Sequence, residues 1–318
     1  MLLLTSCWKS TPLDSTTLEE NNVKTNTTVN MIESTKSSHA ANVQLYRWYQ
    51  FYERDLFDIN RLNNQLDILD DNISIKTSAG THTGKNTYPD RLVAYKGWKN
   101  SHQVQDSQVI KNDNGTLTLT ANIVYQNIKA DQSEDIYNID YTMGLAYENE
   151  SDLLPKFTTI EIVPTWKWEK KDFEDAYAVN RTKSLMYNWL LNMEQLDGNV
   201  EPFEEMLSEN FQLDFSTATS ITSIEQLKTW LNGAPLWLKQ SSHFPENFSV
   251  QTLWDNEYEV NVEFDWFGVW KDDSLMRART AHKWIVVDNP SEKFARIKSA
   301  TVSQKEAFKV VTNEEFTR

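Results

Sequence analysis

The chain has 318 residues, enough for two domains of ordinary size, each able to bury a core of its own. Its net charge of −15 and pI of about 4.8 repel phosphate backbones and anionic membrane surfaces, which argues against nucleic acid as a partner. A lone cysteine, Cys7, excludes an internal disulfide, and no later stretch approaches the ~18 apolar residues of a membrane span.

Leu4-Thr5-Ser6-Cys7 has the form of a bacterial lipobox, in which a lipid is joined to the cysteine after signal cleavage. Met1 to Leu4 then reads as the end of an apolar signal, shorter than the roughly 7–15 apolar residues such segments carry. This predicts an envelope lipoprotein, periplasmic or on the outer membrane, that meets the membrane only through Cys7. Residues 1–7 are the signal remnant. Residues 8–42, rich in Ser, Thr and Asn, read as a flexible tether.

Leu45, Trp48, Tyr49, Tyr52 and Leu56 recur at helical spacing and predict a first helix. A second helix ends near Leu69, Asn72 to Lys76 alternates as a strand, and Tyr88 to Trp98 reads as a third helix with Pro89 in its first turn. Four strands follow, over Gln103–Lys111, Thr116–Lys129, Ile136–Tyr147 and Phe157–Trp168. Asn112-Asp113-Asn114-Gly115 is a hairpin turn between the first two. Residues 171–182 are charged and read as a linker. The order then repeats. Helices are predicted over Ser184–Leu196, Val200–Ser208 and Ser223–Leu238. Strands are predicted over Phe211–Phe215, Phe248–Trp254, Tyr258–Trp270, Met276–Val287 and Phe294–Ser303.

The repetition extends to single residues. Tyr46-x-Trp48 returns as Tyr187-x-Trp189, Glu53 as Glu194 and Ser101-His102 as Ser242-His243, while Tyr125 and Tyr141 fall opposite Trp266 and His282. Every pair is 141 positions apart. The chain therefore reads as two copies of one domain, residues 43–170 and 183–310. A period this long argues against a solenoid.

The order helix, helix, strand, helix and antiparallel meander, with a Ser-His pair opening the strand after the third helix, resembles the nuclear-transport-factor-2-like superfamily. That group includes the SnoaL-like cyclases, ketosteroid isomerase and scytalone dehydratase. The resemblance implies an α+β chain of two tandem cone-shaped barrels, each with three helices on a curved, mostly antiparallel sheet around a cavity. It also implies a histidine in the cavity at positions 102 and 243. The first-helix Asp of scytalone dehydratase-like enzymes is missing: Tyr52 stands near its place. The carboxylate base of ketosteroid isomerase is not recognisable either.

Strand parity selects the cavity-facing residues. In the second copy Val260, Val262, Phe264, Trp266 and Trp270 share a face, as do Met276, Ala278, Thr280, His282, Trp284 and Val286. Matching these faces requires a three-residue loop at 271–273. That register opposes Glu259, Glu263 and Asp265 to Arg277, Arg279 and Lys283 on the other face, and makes Asp265 a surface ion-pair member. In the first copy Leu117, Leu119, Ala121, Ile123, Tyr125 and Asn127 face inward with Ile139, Tyr141 and Met143. Glu53 and Glu194 read as helix-surface charges.

His243, His282, His102, Tyr125 and Tyr141 are thus the candidate catalytic residues, since each can exchange a proton or hydrogen bond. Trp266, Trp270, Trp230, Asn127 and Tyr52 are candidate ligand contacts. Zinc-spaced Cys/His sets, phosphate loops and nucleophile elbows are absent from the sequence, so a cofactor-free reaction is expected. Many Trp residues in the second copy suggest a polyhydroxylated ring as ligand. The leading expectation is a dehydratase, a lyase eliminating water from a hydroxylated oligosaccharide, with uronate-containing chains among the candidates. The alternative is a non-catalytic envelope lipoprotein that holds a glycan or an apolar ligand in an aromatic pocket. Oligomeric state is not legible.

Overall fold

The computed structural model describes residues 15–215, 220–312 and 315, with side chains described from Met31 onward. Cys7 and the lipobox lie outside the described residues. The first copy contains helices α1 (Ser15–Tyr52), α2 (Ile59–Asp67) and α3 (Tyr88–Leu92), the last extended by a 3₁₀ turn at Val93–Tyr95. Its strands are β1 (Leu69–Thr77), β2 (Gly80–Thr83), β3 (Lys99–Lys111), β4 (Leu117–Ile128), β5 (Glu134–Ala146) and β6 (Lys156–Lys167). They are ordered β2-β1-β6-β5-β4-β3. The second copy has α4 (Tyr177–Met193), α5 (Glu201–Glu204) and α6 (Ile224–Leu231). Its sheet, ordered β7-β11-β10-β9-β8, is built from β7 (Leu207–Phe215), β8 (Leu238–Trp254), β9 (Glu257–Trp270), β10 (Leu275–Val287) and β11 (Arg296–Val311).

In both sheets the strand after the second helix pairs parallel to the last strand, β1 with β6 and β7 with β11, and all other pairings are antiparallel. The chain is α+β, with two curved sheets each wrapped on its own helices. Equivalent residues occupy equivalent registers: His102 pairs with Tyr125, and His243 with Trp266. The 271–273 loop joins β9 to β10 as its spacing predicts, opposing Val260 to Trp284 and Phe264 to Thr280. The charge ladder forms on the far face, where Arg277 and Arg279 bond to Asp265 and Glu263. Asp265 is buried there rather than at the surface, because the aromatic Phe267 beside it is itself covered by Ile32 of α1.

The tether expected over residues 8–42 is helix from Ser15 onward; residues 8–14 lie outside the described residues. Ile32, Thr35, Ser37, His39, Ala40, Ala41 and Asn42 are buried. Small side chains let α1 lie close against α4 and β8, and this contact supplies the burial that a Ser/Thr/Asn-rich stretch lacks alone. The linker expected at 171–182 is likewise shorter, because α4 starts at Tyr177 and buries Asn180, Arg181 and Thr182. The helix expected over Ser223–Leu238 stops at Leu231. Asn232 and Gly233 end it, and Pro235 sits in a separate 3₁₀ turn. The strand carrying His243 starts at Leu238 instead of Phe248.

Helices α1 and α4 join the copies reciprocally. Tyr46 stacks on Tyr187, its counterpart, at 5.8 Å and 8°, while Trp48 and Trp189 each enter the core of their own copy. A residue meeting its own counterpart marks the axis of an approximate two-fold, as in an isologous contact. The repeated Tyr-x-Trp thus splits its work between interface and core. Arg181, fully buried, anchors a second contact. It bonds to Asp288 at 2.7 Å and to the carbonyls of Asn289, Glu292 and Lys293. That holds the β10–β11 loop, whose Pro290 and Ser291 carbonyls accept from Arg61 and Asn64 of α2.

Candidate functional site

Each sheet encloses a cavity, about 920 Å³ in the first copy and about 760 Å³ in the second. Both lie in the size range of small-molecule sites. His102, Tyr125, Tyr141, Asn127 and Tyr52 line the first; His243, His282, Trp266, Trp270 and Trp230 line the second. All ten candidate residues therefore reach a cavity, five to each. Of the other second-copy indoles, Trp237 lines the cavity wall, Trp284 is core, and Trp254 is 75% exposed on a hairpin.

The two glutamates read as surface charges are the main correction. Glu53 and Glu194 are buried at the C-terminal ends of α1 and α4, and each accepts the backbone N–H of the strand histidine of its copy. His243 donates its backbone N–H to Glu194 at 2.7 Å and its Nδ1–H at 3.1 Å. The other Glu194 oxygen accepts from His39 Nδ1, also at 3.1 Å. In the first copy the His102 backbone N–H donates to Glu53 at 2.7 Å, but His102 Nδ1 lies 3.4 Å away and makes no aligned hydrogen bond. Asn180 donates to both Glu53 oxygens at 3.0 Å.

Asn180 is the counterpart of His39, 141 positions on. Each carboxylate is thus completed by a residue from the other copy's helix, and the two partners differ in chemistry. Burial pushes both carboxyls up. At Glu53 burial prevails over His102 and Asn180, and the carboxyl lies above its ordinary value. At Glu194 burial is outweighed by His39 and His243, and the carboxyl is held down to about 2.

An ionised Glu194 can only accept, so both facing ring nitrogens carry protons. In the neutral tautomer this leaves the lone pair on His243 Nε2, which has no partner among the described residues. His282 shares this cavity, packs edge-on to Phe264 and contacts Thr280 Oγ1 through Nε2 at 3.1 Å. Burial, with a smaller contribution from His243, pushes it down to about 3, so it is a neutral imidazole at neutral pH. In the first cavity His102 lies between Tyr49, stacked at 4.9 Å, and Tyr125 at 4.9 Å. The Tyr125 hydroxyl donates to Asn100, whose amide donates to the Tyr52 carbonyl. Burial raises Tyr125, Tyr141 and Tyr52, which stay protonated.

The walls differ as well. Arg91, Lys129, Asp135, Asn100 and Asn127 make the first cavity polar. In the second, Ser241, Thr280, His243 and His282 are the polar groups amid Trp, Leu, Met, Phe and Val. The six-membered ring of Trp266 lies against Gly268, where any Cβ would fall inside van der Waals contact of the indole. A Gly268→Ala variant is expected to displace Trp266 and cost about 1–3 kcal/mol. A thermal midpoint unchanged from the parent chain would show that this packing is absent. No group of three or more His, Cys, Asp or Glu placed to share a metal ion occurs among the described residues. No described helix is long and apolar enough to cross a membrane.

No family model matches the sequence, and no curated protein matches it well enough to count as a relative. Among solved structures the chain is similar to a candidate scytalone dehydratase from Novosphingobium aromaticivorans, at 11% identity over 42% of this chain and 87% of that one, with a TM-score of 0.37. It is similar to the hexachlorocyclohexane dehydrochlorinase LinA-type3 from Novosphingobium barchaimii, at 6% identity over 42% and 88%, TM-score 0.36. A nuclear-transport-factor-2-like superfamily protein from Salmonella enterica serovar Typhimurium matches at 9% identity over 38% and 85%, TM-score 0.33. Each repeat is a set of short and long helices on a curved, mostly antiparallel sheet, the architecture that the sequence resemblance implies. At these identities the likeness is one of fold, and the chemistry has to be argued from the cavities.

Proposed function

We propose that the chain is a cofactor-independent lyase whose reaction runs in the second cavity. One observation carries the reading: His243 is aligned on an ionised, buried Glu194, with Nε2 unpartnered in the cavity that also holds His282. A base so oriented takes a proton from carbon beside a carbonyl. The neutral N–H of His282 is suited to hydrogen-bond the enolate oxygen that develops. The C–O bond then breaks, a C=C bond forms, and the proton held by His243 leaves with the hydroxide as water. One imidazole acts as base and then as acid.

The proposed substrate is a hydroxylated ring, a saccharide first among them, with its C–H face against Trp266, Trp270 and Trp230. Among the described residues no Lys or Arg lines this cavity, which favours a neutral carbonyl or ester as the group that acidifies the proton. The test is to incubate the chain with polysaccharide-lyase product mixtures and follow water loss by mass spectrometry. The product should vanish with His243→Gln and persist with His102→Gln. Persistence in the double variant sinks the mechanism. A second reading, a non-catalytic binder of an apolar ligand, is favoured by the apolar wall; it predicts that His243→Gln retains ligand and that binding is insensitive to pH near neutrality.

A further inference from the structure

The first cavity contains a guanidinium that the second lacks and that no carboxylate among the described residues pairs with. Arg91 comes from α3, and among the described residues no carboxylate lies within ion-pair distance of it. Its neighbours are the hydroxyls of Tyr52, Tyr95 and Tyr88, and its buried Nε has no hydrogen-bond partner. The other cation on the wall, Lys129, is already bound to Asp135 at 2.6 Å. Asn127 is 97% buried at 3% exposure, and its amide oxygen faces no donor. A buried guanidinium N–H and a buried amide oxygen left without partners each carry a desolvation cost unless something fills the cavity and bonds to them.

We propose that the first cavity binds a uronic acid. The guanidinium of Arg91 forks onto the planar carboxylate, a geometry that suits arginine better than lysine. A ring hydroxyl donates to Asn127 Oδ1, and the C–H face of the sugar lies against Tyr95 and Trp98, whose rings are packed edge-on at 5.3 Å. A single uncommitted cation matches one carboxylate better than a doubly charged phosphate. This site is separate from the His243 cavity, and its occupation does not depend on turnover there.

Calorimetric titration of the full chain with D-glucuronate, D-galacturonate, glucose, methyl glucuronate ester and inorganic phosphate tests it. The two uronates should bind at least tenfold more tightly than glucose, the ester or phosphate. Arg91→Gln should lose at least tenfold in uronate affinity, and Arg91→Lys should lose less. Asn127→Asp, which puts a carboxylate into the cavity, should weaken uronate binding and leave the far-ultraviolet dichroism of the chain unchanged. His243→Gln should bind uronate as the parent does, which separates this result from the fate of the lyase reading. Binding of glucose as tight as glucuronate, tighter binding of phosphate, retention of affinity by both Arg91→Gln and Asn127→Asp, or no uronate binding at millimolar concentration each overturns the proposal.

Discussion

A Glu194→Gln variant is expected to be less stable than the parent chain by about 3 kcal/mol at pH 7, whereas Glu53→Gln is expected to be neutral or stabilising. The two positions are counterparts, equally buried, and differ in what faces them. Glu194 is held down to about 2 from an ordinary 4.5, a preference for the ionised form of about 3 kcal/mol. A depressed carboxyl stabilises the folded state above its unfolded value and loses that contribution as pH falls through the folded one. The parent chain should therefore lose stability between pH 4.5 and about 2, and Glu194→Gln should lose less across that window. Glu53 is shifted the other way. Its charge opposes folding at neutral pH, and its contribution is most favourable below pH 4.5 and is lost as pH rises through its raised value. A Gln there can still accept from the His102 N–H, and its new amide can donate to the unpartnered Asn180 Oδ1. Urea unfolding of both variants at pH 3 and pH 7 decides the matter; equal losses at pH 7 would show that His39 and Asn180 do not set the difference. Any water-eliminating activity should fall with Glu194→Gln, because a neutral amide no longer stabilises the positive charge that His243 gains as it takes the proton.

Arg181→Met is expected to cost about 3–5 kcal/mol, the range for removing one member of a buried ion pair. It leaves Asp288 charged in the interior beside Tyr177 and strips three loop carbonyls of their donor. The companion Asp288→Asn should cost less, since an amide still accepts from the guanidinium. Because the held loop docks on α2, Arg181→Met should also raise the susceptibility of residues 288–293 to proteolysis while the β4–β5 region stays protected. Unaltered proteolysis with an unaltered urea midpoint would mean that the loop is held by other contacts.

Most of the fold could be read in the sequence because the sheets are meanders with one buried face. Period-two patterning located β4, β5, β6, β9 and β10 to within a few residues, and the 271–273 turn fixed the register of β9 on β10, whereas β8 starts ten residues before its expected beginning and β11 runs eight past its expected end. Helical stretches that depend on tertiary contact were harder to see. Residues 31–42 lack an apolar stripe, and their burial comes from α4 and β8 lying against them. The cavity residues followed from parity, since a side chain's face is fixed once its strand is known. Glu53 and Glu194 were missed because a carboxylate at a helix end ordinarily faces water. A signal was present. Both glutamates share the 141-residue offset of the two histidines they hold, and so do His39 and Asn180. Residues that recur together at one spacing are candidates for a single bonded group. Arg91 offered no such mark, having no counterpart cation at position 232.

The stacking of Tyr46 on Tyr187 is the contact that two separate identical subunits would make across a dimer axis. In such a dimer, positions 39 and 180 would be encoded once, and any change would strike both carboxylates together. Joining the subunits into one polypeptide uncouples them. A histidine at one glutamate and an asparagine at the other then become separate choices, and one centre can drift toward a new ligand while the other retains its proton chemistry.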